Sequence, residues 1–259
     1  MDGNKYPIGD IIDIACNAGK IVLENGGETY RVEDTMIYFC KAFGIENCES
    51  YSTPTTIIIS IIDNYGESFT RMMRIPSRGT NIDKVEAVND LSREINKNPI
   101  TIAEAKKKLQ EINQKQPYSL WLTVLAAGVA SASFTVIFGG RWIHFLMGLV
   151  VGASLQLVVT SLNKVQLGYF TTNFLGGAVA ALLGWLLSYL GIISDWWIVT
   201  FASLMLLVPG ILFTNALRDA VAGELVSGLS RGVEALSIAV ALASGAAIAI
   251  MFLSQIGGL

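Results

Sequence analysis

Histidine is almost missing from this chain: His144 is the single one in 259 residues. No Ser-His-Asp arrangement can be assembled from it. Its place near the outer end of an apolar run makes it an interfacial residue rather than a base. Cysteine is scarce too: Cys16, Cys40 and Cys48 are odd in number and lack CxxC spacing, so they read as reduced structural thiols. The Gly26-Gly27 pair is a turn, not a phosphate cradle with a following Lys-Ser/Thr. A surplus of basic charge is also lacking, at 18 Lys+Arg against 21 Asp+Glu, which argues against a nucleic-acid partner. The opening "MDGNKYPIGD" has no basic flank followed by an apolar core, so no cleaved signal peptide is expected. Catalytic residues, cofactors and metal ligands are expected to be none.

The most telling shortage is of charge in the second half. Residues 1–118 hold 14 of the 18 Lys+Arg and 17 of the 21 Asp+Glu, leaving eight charges for 119–259. Charge-free runs cover 119–140, 142–163, 165–194, 196–217 and 235–259. A membrane span needs about 20 residues at 1.5 Å each. The expected architecture is therefore a polytopic α-helical membrane protein with an N-terminal cytoplasmic α+β domain, 1–118. The membrane domain, 119–259, is expected to have five transmembrane helices near 119–138, 142–162, 168–190, 196–216 and 232–256. The short connectors "GGR" and "NKVQ" set the first three up-down-up. Lys106, Lys107, Lys108 and Lys115 precede the first helix and place the N-terminus in the cytoplasm. Five crossings then put Lys164, Arg218 and Arg231 on that side, with only Arg141 outside. Gly148-xxx-Gly152 and Gly228-xxx-Gly232 suit close helix contacts.

The soluble part reads as ααββαα. Apolar residues at 11, 12, 15, 18, 22 and 23 mark one face of a helix that ends at Gly26-Gly27. A second helix covers 28–43. "TPTTIIISII" is a buried strand, "DNYGE" a turn and "SFTRMMRIP" its hairpin partner. Asn81 caps a helix over 82–96, and Thr101-Ile-Ala-Glu104 is a capping box opening another over 101–115.

Within the oily half, "LVPGILFTNALRDAVAGELVSGLSRGVEAL" stands out. Pro209 lacks an amide hydrogen and Gly210 a side chain, so the fourth helix should kink or break there. Asn215, Arg218 and Asp219 follow, then Arg231 and Glu234 at i, i+3. Ionised groups near hydrocarbon cost about 2.5–3.5 kcal/mol each, so they face a cavity or one another. The competing reading makes 218–231 an ordinary cytoplasmic loop with solvated charges. Gln156 and Thr160 on the second helix, with Thr171, Thr172 and Asn173 on the third, add uncharged hydrogen-bonding groups. Together these residues suit a small polar, zwitterionic or anionic solute better than a lipid.

"GGETYRVEDTM", "TPTTIIISI", "TRMMRIPSRGTNIDKVEAVNDLSREI", "FGGRW", "TTNFLGG" and the Pro-Gly…Asn-x-x-Arg-Asp…Arg…Glu-Ala series resemble the threonine/serine exporter family over nearly the whole chain. The resemblance implies export of small polar metabolites driven by the proton-motive force, in a bacterial or archaeal cytoplasmic membrane. Threonine and serine are the substrates in some members, succinate in a split two-component branch. Fused members carry a second membrane block. This chain stops at Leu259, so it resembles the larger component of a split pair that needs a small membrane partner; a higher oligomer is left open. Arg218 would attract a solute carboxylate, and Asp219 or Glu234 would carry the proton. The alternative is a non-transporting membrane scaffold or sensor subunit acting through its cytoplasmic domain.

Overall fold

The computed structural model describes residues 6–63, 66–165 and 167–257. Two compact units emerge: Met1–Gln116 with Ile211–Gly232, and Pro117–Gly210 with Val233–Leu259. Residues 211–232, expected within the membrane half, thus group with the N-terminal part of the chain.

The first unit is built around α1 (Ile8–Glu24), which packs on α2 (Thr29–Ala42), α3 (Ile82–Lys97), α4 (Ile102–Gln114) and two strands. The expected single apolar face is too narrow. Ile14 and Ile21 are buried as well as Ile11, Ile12, Ala15, Ala18, Val22 and Leu23, so α1 is enclosed on most sides. Asn81 accepts the Lys84 amide at 3.2 Å, and the Thr101–Glu104 capping box closes in both directions, as their spacing requires.

The sheet has three strands rather than two: β1 (Cys48–Thr53), β2 (Thr56–Ile62) and β3 (Ser68–Arg74), antiparallel in that order. Tyr51 pairs with Ile58 and Ile58 with Met72. Ile57, Ile59 and Ile61 face the core, while Ile62 is exposed on the other side, so β2 is half-buried instead of wholly buried. The strand begins at Thr56 because Pro54 sits in the turn from β1. In the expected "DNYGE" turn, Asn64 and Tyr65 lie outside the described residues; Asp63 and Glu67 close it with a backbone bond of 2.9 Å. Residues 1–5 of the opening segment, and Gln166 of the "NKVQ" connector, also lie outside them. The three cysteines are free thiols, and burial pushes Cys16 up to about 11 against the opposing pull of Arg71.

The second unit contains α5 (Leu120–Ile137), α6 (Trp142–Lys164), α7 (Tyr169–Tyr189), α8 (Trp196–Leu204) and the part of α10 (Leu225–Gly257) from Val233 onward. Small residues sit where its helices touch, beside buried Leu155, Val199 and Leu242, and many large apolar ones face outward. A Cβ on Gly148 would stand 2.7 Å from Thr135, and Gly152 lies as tightly against Ser131 and Ala127. Gly177 and Gly245 bring α7 and α10 into backbone contact. Leu125, Val150, Leu182, Val240 and Met251 point outward, and Trp121, Trp142, Tyr189 and Trp197 are exposed near helix ends. Small-inside packing with apolar outer faces and terminal aromatics is the pattern of helices in lipid. His144 lies in the first turn of α6, near the helix end where it was expected. It is buried, and its Nδ1 accepts the Arg141 amide at 2.9 Å at the start of α6.

Among the described residues four helices are long and apolar enough to cross a membrane: α5, α6, α7 and α10. The expected fourth span over 196–216 is not one helix. It divides into α8 and α9 (Gly210–Val221), separated by turns over 205–209. The ladder stops at the Met205 amide, four residues before Pro209, which has no N–H and stands just ahead of α9. The chain is a multi-pass membrane protein.

Candidate functional site

The site begins where α1 stops. Gly26 takes φ +90°, a left-handed conformation that a side chain would strain, and the Gly27 amide donates back to Val22 O at 2.9 Å. This turn leaves the carbonyls of Gly26 and Gly27 available and delivers Glu28 and Thr29 to the N-terminus of α2. Glu28 at the N-cap position makes no side-chain cap of its own.

The missing cap comes from a segment 190 residues away. Asp219 Oδ1 accepts the Thr29 amide at 3.0 Å, and the Thr29 hydroxyl donates to Oδ2 at 2.9 Å. A carboxylate at a helix N-terminus satisfies an orphan donor and meets the positive end of the helix dipole. Arg231 Nε pairs with the same Oδ2 at 3.0 Å, and its Nη2 donates to Gly27 O at 2.8 Å. Asn215 Nδ2 donates to Gly26 O at 2.8 Å. Arg218 Nη1 meets Glu28 Oε1 at 2.7 Å, and Arg31 Nε meets Glu28 Oε2 at 2.9 Å.

These residues line up because α9 and the first turns of α10 form a tight helical hairpin. Gly223 turns it at φ +97°. A Cβ on Gly228 would stand 2.8 Å from Ala216 O, so only glycine lets the two helices approach this closely. The companion Gly232 has open space around it, so the expected GxxxG contact is made by Gly228 alone. Asn215, Asp219 and Arg231 are buried, whereas Arg218 keeps 57% of its side chain exposed.

Burial alone would raise the Glu28 carboxyl. Its own backbone amide, the Arg218 hydrogen bond and the charges of Arg31 and Arg218 outweigh that and hold it below the usual glutamate range. Glu33 goes the other way: burial raises it, with repulsion from Glu224 adding to the rise, and the Ser52 amide, donating at 2.7 Å, offsets only part.

Of the residues the sequence singled out, the first unit brings Asn215, Arg218, Asp219 and Arg231 together. Gln156 and Thr160 lie in the second unit, bonded to each other along α6 at 3.3 Å. On α7, Asn173 donates to Tyr169 O at 2.8 Å, Thr172 is buried and Thr171 is exposed. Pro209 and Gly210 mark the α8–α9 break, and Glu234 sits half-buried on α10. Sequence reasoning passed over Gly26, Gly27, Glu28, Thr29 and Arg31 as members of the site. The one signal was their place inside the stretch "GGETYRVEDTM".

The sequence model of the threonine/serine exporter family (ThrE) matches residues 13–253, which takes in both the Gly-Gly-Glu-Thr turn and the α9–α10 hairpin. The chain belongs to the threonine/serine exporter family. One relative is the "Probable threonine/serine exporter" of Mycobacterium tuberculosis, 21% identical over 249 residues, 95% of this chain and 47% of that protein. Two others are named "Probable succinate transporter subunit YjjP". That of Klebsiella aerogenes is 26% identical over 214 residues, covering 81% of each protein. That of Escherichia coli is 25% identical over 222 residues, covering 84% of this chain and 85% of its own. The chain therefore spans about half the length of the mycobacterial relative and over four fifths of the two named as subunits. No solved structure matches.

Proposed function

We propose that the chain is the larger subunit of a split secondary exporter driven by the proton-motive force. Its cargo is a small polar metabolite, an amino acid such as threonine or serine or a dicarboxylate such as succinate. Residues 1–118 face the cytoplasm of a bacterial or archaeal inner membrane, and a small membrane partner supplies the second helix block. The lengths and printed names of the relatives support the split form.

One observation carries the assignment of the site: a half-exposed guanidinium, Arg218, is held by a carboxylate of the chain itself, Glu28, at 2.7 Å. A solute carboxylate has the same chemistry and competes for the same partner. Asp219, the buried carboxylate that joins Arg231 to the α2 terminus, is one candidate proton carrier, and Glu234 is the second. Gln156, Thr160, Thr171, Thr172 and Asn173, with the break at Pro209-Gly210, supply the uncharged part of the pathway.

The test is efflux from cells co-expressing the partner, comparing wild type with Arg218→Ala and Glu234→Gln. Both variants are expected to lose about tenfold or more, the size of one charged hydrogen bond. Unimpaired efflux in both removes the site.

The closure of the network within one unit also favours a second reading, in which the cluster is structural and the chain is a scaffold or sensor. Solute-dependent stabilisation of the purified pair separates them, because a scaffold shows no shift with any small acid.

A further inference from the structure

A cavity of about 620 Å³ opens between α2 and α3, away from the Asp219–Arg231 pair. It falls within the roughly 300–1,000 Å³ of small-molecule sites. Its walls are two polar stripes at helical spacing, Arg31, Asp34 and Tyr38 on one side and Arg93, Asn96 and Lys97 on the other. Thr35 and Ser92 are buried beneath them, their hydroxyls donating to Arg31 O and Asn89 O of their own helices. Three cations stand against one carboxylate. Among the described residues Arg93 and Lys97 make no ion pair, although Glu94, next in sequence, pairs with Lys108.

Arg31 belongs to two places at once. It lines the cavity, and its guanidinium holds Glu28, the residue that holds Arg218. We infer that this cavity binds a small organic anion bearing carboxylates or phosphate, and that the anion acts on the exporter site by drawing Arg31 away from Glu28. Two cations without carboxylate partners explain the preference for an oxyanion, and the neighbouring tyrosines and amides supply contacts for its body. With Arg31 engaged by ligand, Glu28 loses one of its two guanidiniums and its grip on Arg218 changes. Binding itself is independent of the transport proposal; only this consequence rests on it.

The experiment is calorimetric titration of the full chain in detergent at low salt with citrate, succinate and inorganic phosphate, using threonine as a zwitterionic control. At least one anion is expected to bind, and which one binds separates a carboxylate from a phosphate ligand. Arg93→Gln/Lys97→Gln, both exposed, should weaken it about tenfold or more, while Lys107→Gln, exposed on α4 and outside the lining, leaves it unchanged. Glu28→Gln should tighten binding several-fold by releasing Arg31. No binding by any anion, or equal binding by the double variant, overturns the site. An unchanged affinity in Glu28→Gln overturns the link to Arg218 alone. Normal efflux in both Arg218→Ala and Glu234→Gln, by contrast, removes the transport site and leaves the binding result standing.

Discussion

Asp219 is the residue on which most of the site's bonds converge, accepting from both donors of Thr29 and pairing with Arg231 at full burial. A buried pair adds little when intact, yet removing one member leaves an uncompensated charge at about 3–5 kcal/mol. Asp219→Ala is therefore expected to lower the thermal midpoint of the purified chain sharply, and Asp219→Leu combined with Arg231→Met to recover much of the loss. Equal melting of Asp219→Ala and wild type would refute the arrangement. Two glutamates give opposite pH signatures. The folded Glu28 carboxyl lies below its ordinary value of 4.5, so its contribution is present above about pH 4.5 and fades as pH falls through the lower folded value. Glu33 is raised, so its contribution is full at acid pH and is lost as pH rises from 4.5 through the higher folded value. Glu33→Gln should stabilise the protein at pH 7 but not at pH 4; Glu28→Gln should destabilise it at pH 7. Melting curves at both pH values check the signs. The polar residues of α9 were legible in the sequence because they interrupt an oily run. Their partners were not, since periodicity reports neighbours three or four residues apart and Thr29 is 190 residues from Asp219.

At the level of elements, the α9–α10 hairpin depends on one glycine and not its companion. Gly228→Ala forces a Cβ against the Ala216 carbonyl and is expected to cost about 1–3 kcal/mol. Gly232→Ala meets nothing within 4 Å and should be neutral or stabilising by up to about 1 kcal/mol, as for a helical glycine with room for a methyl group. Thermal melts of the two variants side by side decide it, and similar losses in both would rule out the close approach as the cause. Helix starts were readable wherever a side chain caps locally, at Asn81 and Thr101. The start of α2 was readable as well, expected at 28 and found at Thr29, but its cap was not, because Asp219 arrives from another segment. β1 also escaped notice: "CESYST" has little apolar alternation, since it buries Ser52 and exposes Tyr51, and its place is fixed by pairing with β2.

For the whole molecule, the composition of the first unit constrains the path through the bilayer. Lys107 on α4 and Ala222 after α9 belong to the same compact unit, so they share one side of the membrane. Between them α5, α6 and α7 are each long enough to cross, and three crossings end on the opposite side. The chain must therefore return between Tyr189 and Gly210, where only α8 and the turns after it are available. Nine helical residues rise about 14 Å, less than half of a hydrocarbon core of roughly 30 Å. Irregular backbone at that depth is tolerated only where protein surrounds it. α8 itself meets that condition: it packs on α5, α6 and α7, buries Val199, Thr200, Ala202, Ser203 and Leu204, and joins Ser203 to Ser131 at 3.0 Å, whereas Met205 and Val208 in the turns after it are exposed. Five crossings with a broken fourth are therefore expected. A membrane-impermeant maleimide should label Arg141→Cys and Ser194→Cys in intact cells, but Lys107→Cys and Ala222→Cys only after permeabilisation. Labelling of Ser194→Cys and Ala222→Cys from the same side would mean that the chain does not return through α8, and the break at Pro209-Gly210 would then lie on no transport route.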